Sequence, residues 1–100
     1  MAQVKYAPSL FDGQDDTKCY VCEGNQYVQR HEIFFGRAYR NKSKQFGLWV
    51  NLCMKCHDIV HFGKDHSLDI QLKQEGQRKF ENKFSHQKFM DEFDKNRLED

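Results

Sequence analysis

The feature that most constrains this chain is a pair of C-x-x-C motifs, Cys19 to Cys22 and Cys53 to Cys56, with thirty residues between them. Each motif lets two thiolates face one ion, and two motifs together supply the four ligands of a tetrahedral zinc site. The chain has four cysteines in total, so the motifs account for all of them. We therefore predict one closed, structural zinc site, which contributes directly to the free energy of folding.

Several features bear on the cellular location. The N-terminal sequence has no basic start followed by an apolar stretch, so we expect no signal peptide. The longest uncharged run, Gln45 to Met54, is too short to span a bilayer, and we expect no membrane partner. A reducing cytoplasm is then the expected location, where paired cysteines favour a metal over disulfides. The formal net charge is +1, so only the distribution of charge bears on a polyanionic partner.

Signals for regular structure divide the chain into three parts. Residues 1–18, with Pro8 and Gly13 as breakers, are predicted to form a loosely packed arm. Residues 19–63 should form a zinc-bound module of two strands and a helix. Its strands are predicted from β-branched and aromatic composition and from alternation. The expected elements are a strand at 26–35, a basic loop or short helix at 36–47, a strand at 48–52 and a helix at 56–62.

Residues 64–100 are predicted to form two further helices that cover the module. Ser67 precedes the first, and Ser85 is placed to cap the second. Together these elements predict an α+β protein, a zinc-knuckle-stabilised ββα module followed by two C-terminal helices. The apolar side chains expected to pack on the module are Leu68, Leu72, Phe80, Phe84, Phe89 and Phe93.

Histidines next to the second cysteine pair indicate another metal site. His57 and His61 are four positions apart at the start of a predicted helix, so both imidazoles should lie on one face. The cysteine zinc would tie this helix to the preceding strand and so bring His31 towards the pair. Three imidazoles that leave coordination positions for water are typical of an open, catalytic site. The plain alternative is that the pair is only part of a polar helix face.

The order of these features resembles the HNH, or ββα-metal, nucleases, especially small phage-encoded members with zinc knuckles around the hairpin. The match covers residues 19–62: C-x-x-C, a strand with a His-acid pair, a basic loop, a strand, and L-C-x-x-C-H with a His four residues on. The resemblance implies cleavage of DNA phosphodiesters with one divalent metal (Mg²⁺, Mn²⁺, Ni²⁺ or Zn²⁺), leaving 5′-phosphate and 3′-hydroxyl ends. It further implies that His31, His57 and His61 are the ligands and that Glu32 replaces the His that activates water.

Two positions depart from the HNH pattern. The family's Asn on the second strand falls near Leu48, which cannot make the same hydrogen bonds, and Asn51 should point to another face. Glu32 has a reference pKa of about 4.3 against about 6.5 for His, which predicts a base weaker by about tenfold in rate. Glu32 could instead bind the metal, with His31 as the base, and a carboxylate ligand would favour Mg²⁺ or Mn²⁺. The sequence leaves these two roles open.

A local excess of positive charge lies between the two strands. Residues 30–44 carry five basic residues against one acidic residue. Such a loop could hold phosphates on both sides of a scissile bond, although a charged run is also typical of a solvated surface. The residues predicted to contact DNA phosphates are Arg37, Arg40, Lys42 and Lys44.

Three functions from different classes are consistent with the sequence. The first is a metal-dependent DNA endonuclease, with a structural zinc and a separate catalytic metal. The second is a catalytically weak or inactive HNH-like module that binds DNA or joins a phage recombination or packaging complex in the host cell. The third is a zinc-stabilised protein-interaction domain with incidental histidines.

Overall fold

A computed structural model describes residues 5–63 and 66–98. The elements follow the order β1 (Gln29–Glu32), α1 (Arg40–Gln45), β2 (Trp49–Leu52), α2 (Met54–Phe62), α3 (Ser67–Lys83) and α4 (His86–Phe93). The predicted α+β class is confirmed: a two-stranded sheet is combined with four helices in the described part of the chain. Within these residues, no helix is long and apolar enough to cross a membrane.

The strands β1 and β2 form an antiparallel pair in which His31 lies opposite Val50 and Glu32 lies opposite Trp49. Residues opposite each other share a face of the sheet, and neighbours along a strand alternate between faces. His31 and Val50 therefore face one side, and Glu32 and Trp49 face the other. This alternation separates two side chains that are adjacent in the sequence.

Strand β1 is shorter than the predicted 26–35. Tyr27 has a φ of 51°, outside the extended region, so the strand begins only after it. At the other end, the backbone of Phe34 bonds to the Ser43 side chain instead of to another strand, and Gly36 turns the chain with a φ of 100°. One further backbone bond, from the Ile33 N–H to the Leu48 carbonyl over 2.9 Å, lies just outside the bounds of both strands.

The predicted helix boundaries differ from the structure at one end. Helix α2 begins at Met54, two residues before the expected start, because the extended Cys53 serves as its N-cap directly after β2. It ends at Gly63 as predicted, where a Cβ would collide with the Ile59 carbonyl oxygen. Ser85 caps α4 as predicted, since its hydroxyl accepts a hydrogen bond from the Lys88 N–H over 3.0 Å.

The core lies between the sheet and the C-terminal helices and is largely aromatic. Phe34 contacts Phe89 and Phe93, with ring centroids 5.4 and 4.7 Å apart. Phe80 is fully buried beside Phe89. Phe84, which the sequence places in this packing, is 43% exposed because α3 ends there and the chain turns toward α4.

The N-terminal arm, which the sequence predicts to be loosely packed, makes specific contacts with the rest of the fold in its described part. The Phe11 side chain is in the core with 1% exposure. The Ala7 N–H bonds to the Lys44 carbonyl over 2.9 Å, and the Ser9 hydroxyl bonds to the Trp49 carbonyl over 2.6 Å. The arm thus covers the second face of the sheet, which explains why all four residues of β2 are buried.

Candidate metal centres

The four cysteines converge although they come from two separate segments. Cys19 and Cys22 lie in the loop before β1, whereas Cys53 and Cys56 lie at the start of α2. Their sulfur atoms lie within 4.8 Å of one another. The Cys22 and Cys53 sulfurs are 3.6 Å apart, close to the edge of about 3.8 Å expected for a tetrahedral zinc–thiolate site and well beyond a disulfide bond. This cluster could therefore hold a structural zinc ion, as predicted.

Backbone amides already favour thiolate at one of these positions. Burial acts to raise the pKa of Cys19, but hydrogen bonds from the Cys22, Cys53 and Val21 amides outweigh it and lower that pKa to about 6. By contrast, burial and bonding to Cys19 raise the pKa of Cys56. A bound dication would offset the negative charge of the thiolates gathered in this cluster. The donor set fits zinc.

A second cluster joins three histidines from β1 and α2. His31 projects from the buried face of β1, and His57 and His61 lie one turn apart on α2. One ligand nitrogen from each lies within 4.8 Å of the others. The Nε2 atoms of His57 and His61 are 3.1 Å apart, near the separation of about 3.3 Å expected for two imidazoles on one tetrahedral ion. These three residues could hold a metal ion.

The state of His31 supports such a ligand set. Its side chain is 2% exposed, and its Nε2 atom is buried with no hydrogen-bond partner among the described residues. Burial, followed by the positions of His57 and His61, lowers the pKa of His31 to about 3. The imidazole is therefore neutral at physiological pH, with a nitrogen directed into the cluster, which is the form that binds metals. An orphaned buried nitrogen is costly unless a ligand satisfies it.

Gln29 contributes an outer contact that the sequence analysis missed. Its amide lies 3.3 Å from the Nδ1 atom of His57. A partner on the far nitrogen of a ligating imidazole fixes its orientation and tautomer. Gln29 lies two residues before His31 on the same face of β1, so strand alternation was the signal that could have revealed it.

The histidines open onto a cavity of about 190 Å³. Glu32 reaches it from the opposite face of β1, so both members of the predicted His-Glu pair border one space. The carboxylate accepts a hydrogen bond from the Tyr6 hydroxyl over 3.0 Å and lies 3.8 Å from the Arg40 guanidinium. The lining residues are Arg30, His31, Glu32, Phe35, Arg40, His57 and His61.

The four basic residues predicted to contact phosphate do not share one environment. Arg37 and Arg40 are exposed and border a second, adjoining cavity together with Gly36 and Asn41. Lys42 instead donates to the Glu92 carbonyl over 2.8 Å. This contact directs its ammonium to α4.

Lys44 is half-buried, and its ammonium lies 5.3 Å from the centre of the Tyr6 ring. Of the four, only Arg40 also borders the histidine cavity. Neither of the positions considered for the HNH asparagine lines that cavity, because Leu48 is in the core and Asn51 is buried opposite Arg30.

Comparisons with known proteins give no assignment. No protein-family model matches the sequence, and neither the curated proteins nor the solved structures contain a significant match.

Proposed function

We propose that this protein is a metal-dependent DNA endonuclease that hydrolyses phosphodiester bonds at a single-metal, HNH-type site. The observation that carries the proposal is the convergence of three imidazoles and one carboxylate on an open cavity, beside a separate cluster of four cysteines. The four thiolates would complete a tetrahedral site, whereas three imidazoles leave room for substrate and water. A structural site and a reactive site are thereby separated.

The surroundings of His31 and Glu32 support distinct roles for them. His31 is buried beside the other imidazoles, and one of its ring nitrogens lies within 4.8 Å of theirs, so it is better placed as a ligand than as a base. Glu32 borders the cavity with a side chain that is 14% exposed, so a water molecule there can reach its carboxylate. We therefore assign Glu32 as the general base and His31, His57 and His61 as the ligands.

Each step of the proposed hydrolysis can be given to a side chain at the cavity. Glu32 orients a water molecule and accepts its proton as the water oxygen bonds to phosphorus and the bond to the 3′ oxygen breaks. Arg40, and Arg37 beside it, bind the phosphate oxygens. His31, His57 and His61 would hold a divalent ion, which would supply electrostatic stabilisation of the charge that builds on the phosphate and the leaving oxygen.

Plasmid nicking tests the proposal directly. Purified protein is incubated with supercoiled plasmid in Mg²⁺, Mn²⁺, Ni²⁺ or Zn²⁺, beside a His57→Ala, His61→Ala double variant. A His66→Ala variant is the matched control, because this exposed residue lies outside the cluster. We expect cleavage by the native protein and the control, and none by the double variant, with its cysteine-bound zinc retained. Equal cleavage by the double variant would contradict the site assignment.

Two other results would select another function. Salt-sensitive DNA binding without cleavage in any metal would indicate an inactive module that acts in DNA binding or in a phage recombination or packaging complex. One bound zinc per chain and no DNA affinity would indicate a protein-interaction domain instead. Metal content and binding at two salt concentrations separate these cases.

A further inference from the structure

We propose that Tyr6, in the N-terminal arm, is a positioning residue for Glu32. The inference rests on the proposed endonuclease function and adds to it a residue that lies 26 positions away in the sequence. The Tyr6 hydroxyl donates a hydrogen bond to Oε2 of Glu32 over 3.0 Å. Oε1, the other oxygen of the same carboxylate, lies 3.8 Å from the Arg40 guanidinium.

The backbone of the arm holds Tyr6 in this place. The neighbouring Ala7 N–H donates to the Lys44 carbonyl over 2.9 Å, and the Ala7 carbonyl accepts from the Trp49 indole N–H over 2.7 Å. The Tyr6 ring also meets the Trp49 ring edge-on, with centroids 5.6 Å apart. Because Trp49 lies opposite Glu32 in the strand register, these contacts bring the arm directly to the carboxylate.

Arg30 further fixes the aromatic pair. Its guanidinium lies 4.9 Å from the centre of the Tyr6 ring and 4.3 Å from that of Trp49. Asp16 orients the same guanidinium through an ion pair of 3.1 Å. Contacts of a cation with aromatic faces are favourable, so ring placement does not depend on the hydroxyl. The Tyr6 ring therefore contributes to packing, whereas the Tyr6 hydroxyl contributes the hydrogen bond to Glu32.

The hydroxyl matters because of where Glu32 lies. Glu32 is the last residue of β1, and a glutamate side chain has several rotatable bonds that a strand end does not restrain. A charge-assisted hydrogen bond to Oε2 removes part of this freedom and leaves Oε1 available to a water molecule. Correct orientation of the base is needed in the transition state more than in substrate binding, so its loss lowers kcat and leaves KM unchanged.

A Tyr6→Phe variant tests this role, because it keeps the ring contacts and removes only the hydroxyl. Tyr20→Phe is the matched control: the Tyr20 hydroxyl donates to the Glu75 carboxylate over 2.7 Å, away from the histidine cavity. We expect Tyr6→Phe to lower kcat for DNA cleavage about tenfold, with KM, metal content and melting temperature as in Tyr20→Phe. In the Glu32→Gln background, Tyr6→Phe should have no further effect, because the two residues act as a unit.

The possible results lead to separate conclusions. Native protein that does not cleave DNA overturns the endonuclease function, and this inference with it. Native cleavage with an unchanged kcat in Tyr6→Phe overturns the positioning role alone. So does an equal fall in kcat for Tyr6→Phe and Tyr20→Phe, or an additive effect in the Glu32→Gln background, since either result points to general destabilisation.

Discussion

The Ser43 side chain gives the sharpest test of how the segment between the strands is held. Ser43 is fully buried in α1, and its hydroxyl makes two hydrogen bonds to the backbone of Phe34, which follows β1. It donates to the Phe34 carbonyl over 2.7 Å and accepts from the Phe34 N–H over 3.1 Å. Ser43→Ala removes both bonds without adding volume, and leaves a donor and an acceptor unpaired.

The expected cost follows from these two groups. Each buried backbone group left without a partner costs about 1–3 kcal/mol, so the loss of both bonds in Ser43→Ala should lower the free energy of unfolding by about 2–6 kcal/mol. For a domain of this length, each kcal/mol corresponds to a fall in melting temperature of about 4–8 °C. Water cannot replace the hydroxyl easily, because Phe34 is only 2% exposed.

Ser85→Ala is the matched control for this substitution. The Ser85 hydroxyl also accepts a backbone N–H, from Lys88, but at an exposed helix cap. Its loss should cost only about 1 kcal/mol. Urea and thermal denaturation of both variants, at equal zinc loading, measure the difference. The reasoning would be refuted if Ser43→Ala lowered the free energy of unfolding by less than about 1 kcal/mol while the slope of that free energy against urea concentration stayed unchanged.

Three further predictions concern the metals and the core. In elemental analysis, metal-replete native protein should contain two ions per chain and the His57→Ala variant one. The Cys56→Ser variant should be unfolded, as measured by circular dichroism, because it has lost a structural zinc ligand. Gln29→Ala should weaken metal binding at the histidines by about 10- to 100-fold in calorimetric titration, since it frees the imidazole of His57. Gly76→Ala should raise the free energy of unfolding by about 0.5–1 kcal/mol in urea, because a Cβ there would meet core side chains at 3.4 Å within a helix.

Each of these predictions has a result that contradicts it. Two ions retained by His57→Ala would exclude that residue as a ligand, and a folded Cys56→Ser protein would show that the cysteine site is dispensable. Metal affinity unchanged in Gln29→Ala would mean that the amide does not orient the imidazole. A loss of more than about 1 kcal/mol in Gly76→Ala would show that the contact is too tight to accept a methyl group.

Local patterns in the sequence predicted the parts of the structure that depend on short spacing. The C-x-x-C pairs and the interval between His57 and His61 fix which side chains share a turn, so both clusters could be anticipated. Gly63 and Ser85 mark helix ends through their own conformations and bonds. The catalytic roles assigned to His31 and Glu32 remain predictions.

Contacts between distant segments could not be predicted in the same way. The arm has breaker residues and little periodicity, yet Ser9 reaches Trp49 over 40 positions and Tyr6 reaches Glu32 over 26. Nothing within the local sequence encodes such pairings, because they depend on which surface the rest of the fold leaves uncovered. The same reason explains why the contact of Lys42 with the Glu92 carbonyl was missed.

The closure of the cysteine cluster across 31 positions, from Cys22 to Cys53, also has a consequence for how the chain folds. The first pair cannot complete its site until the second has left the ribosome, and closing a loop of this size costs conformational entropy in advance. The arm must wait as well, because its contacts with Lys44, Gly47 and Trp49 can form only after those residues have been made. Folding should therefore be late and slow compared with that of a helical bundle of equal length. The concentration of available zinc should determine the fraction of molecules that reach the native state.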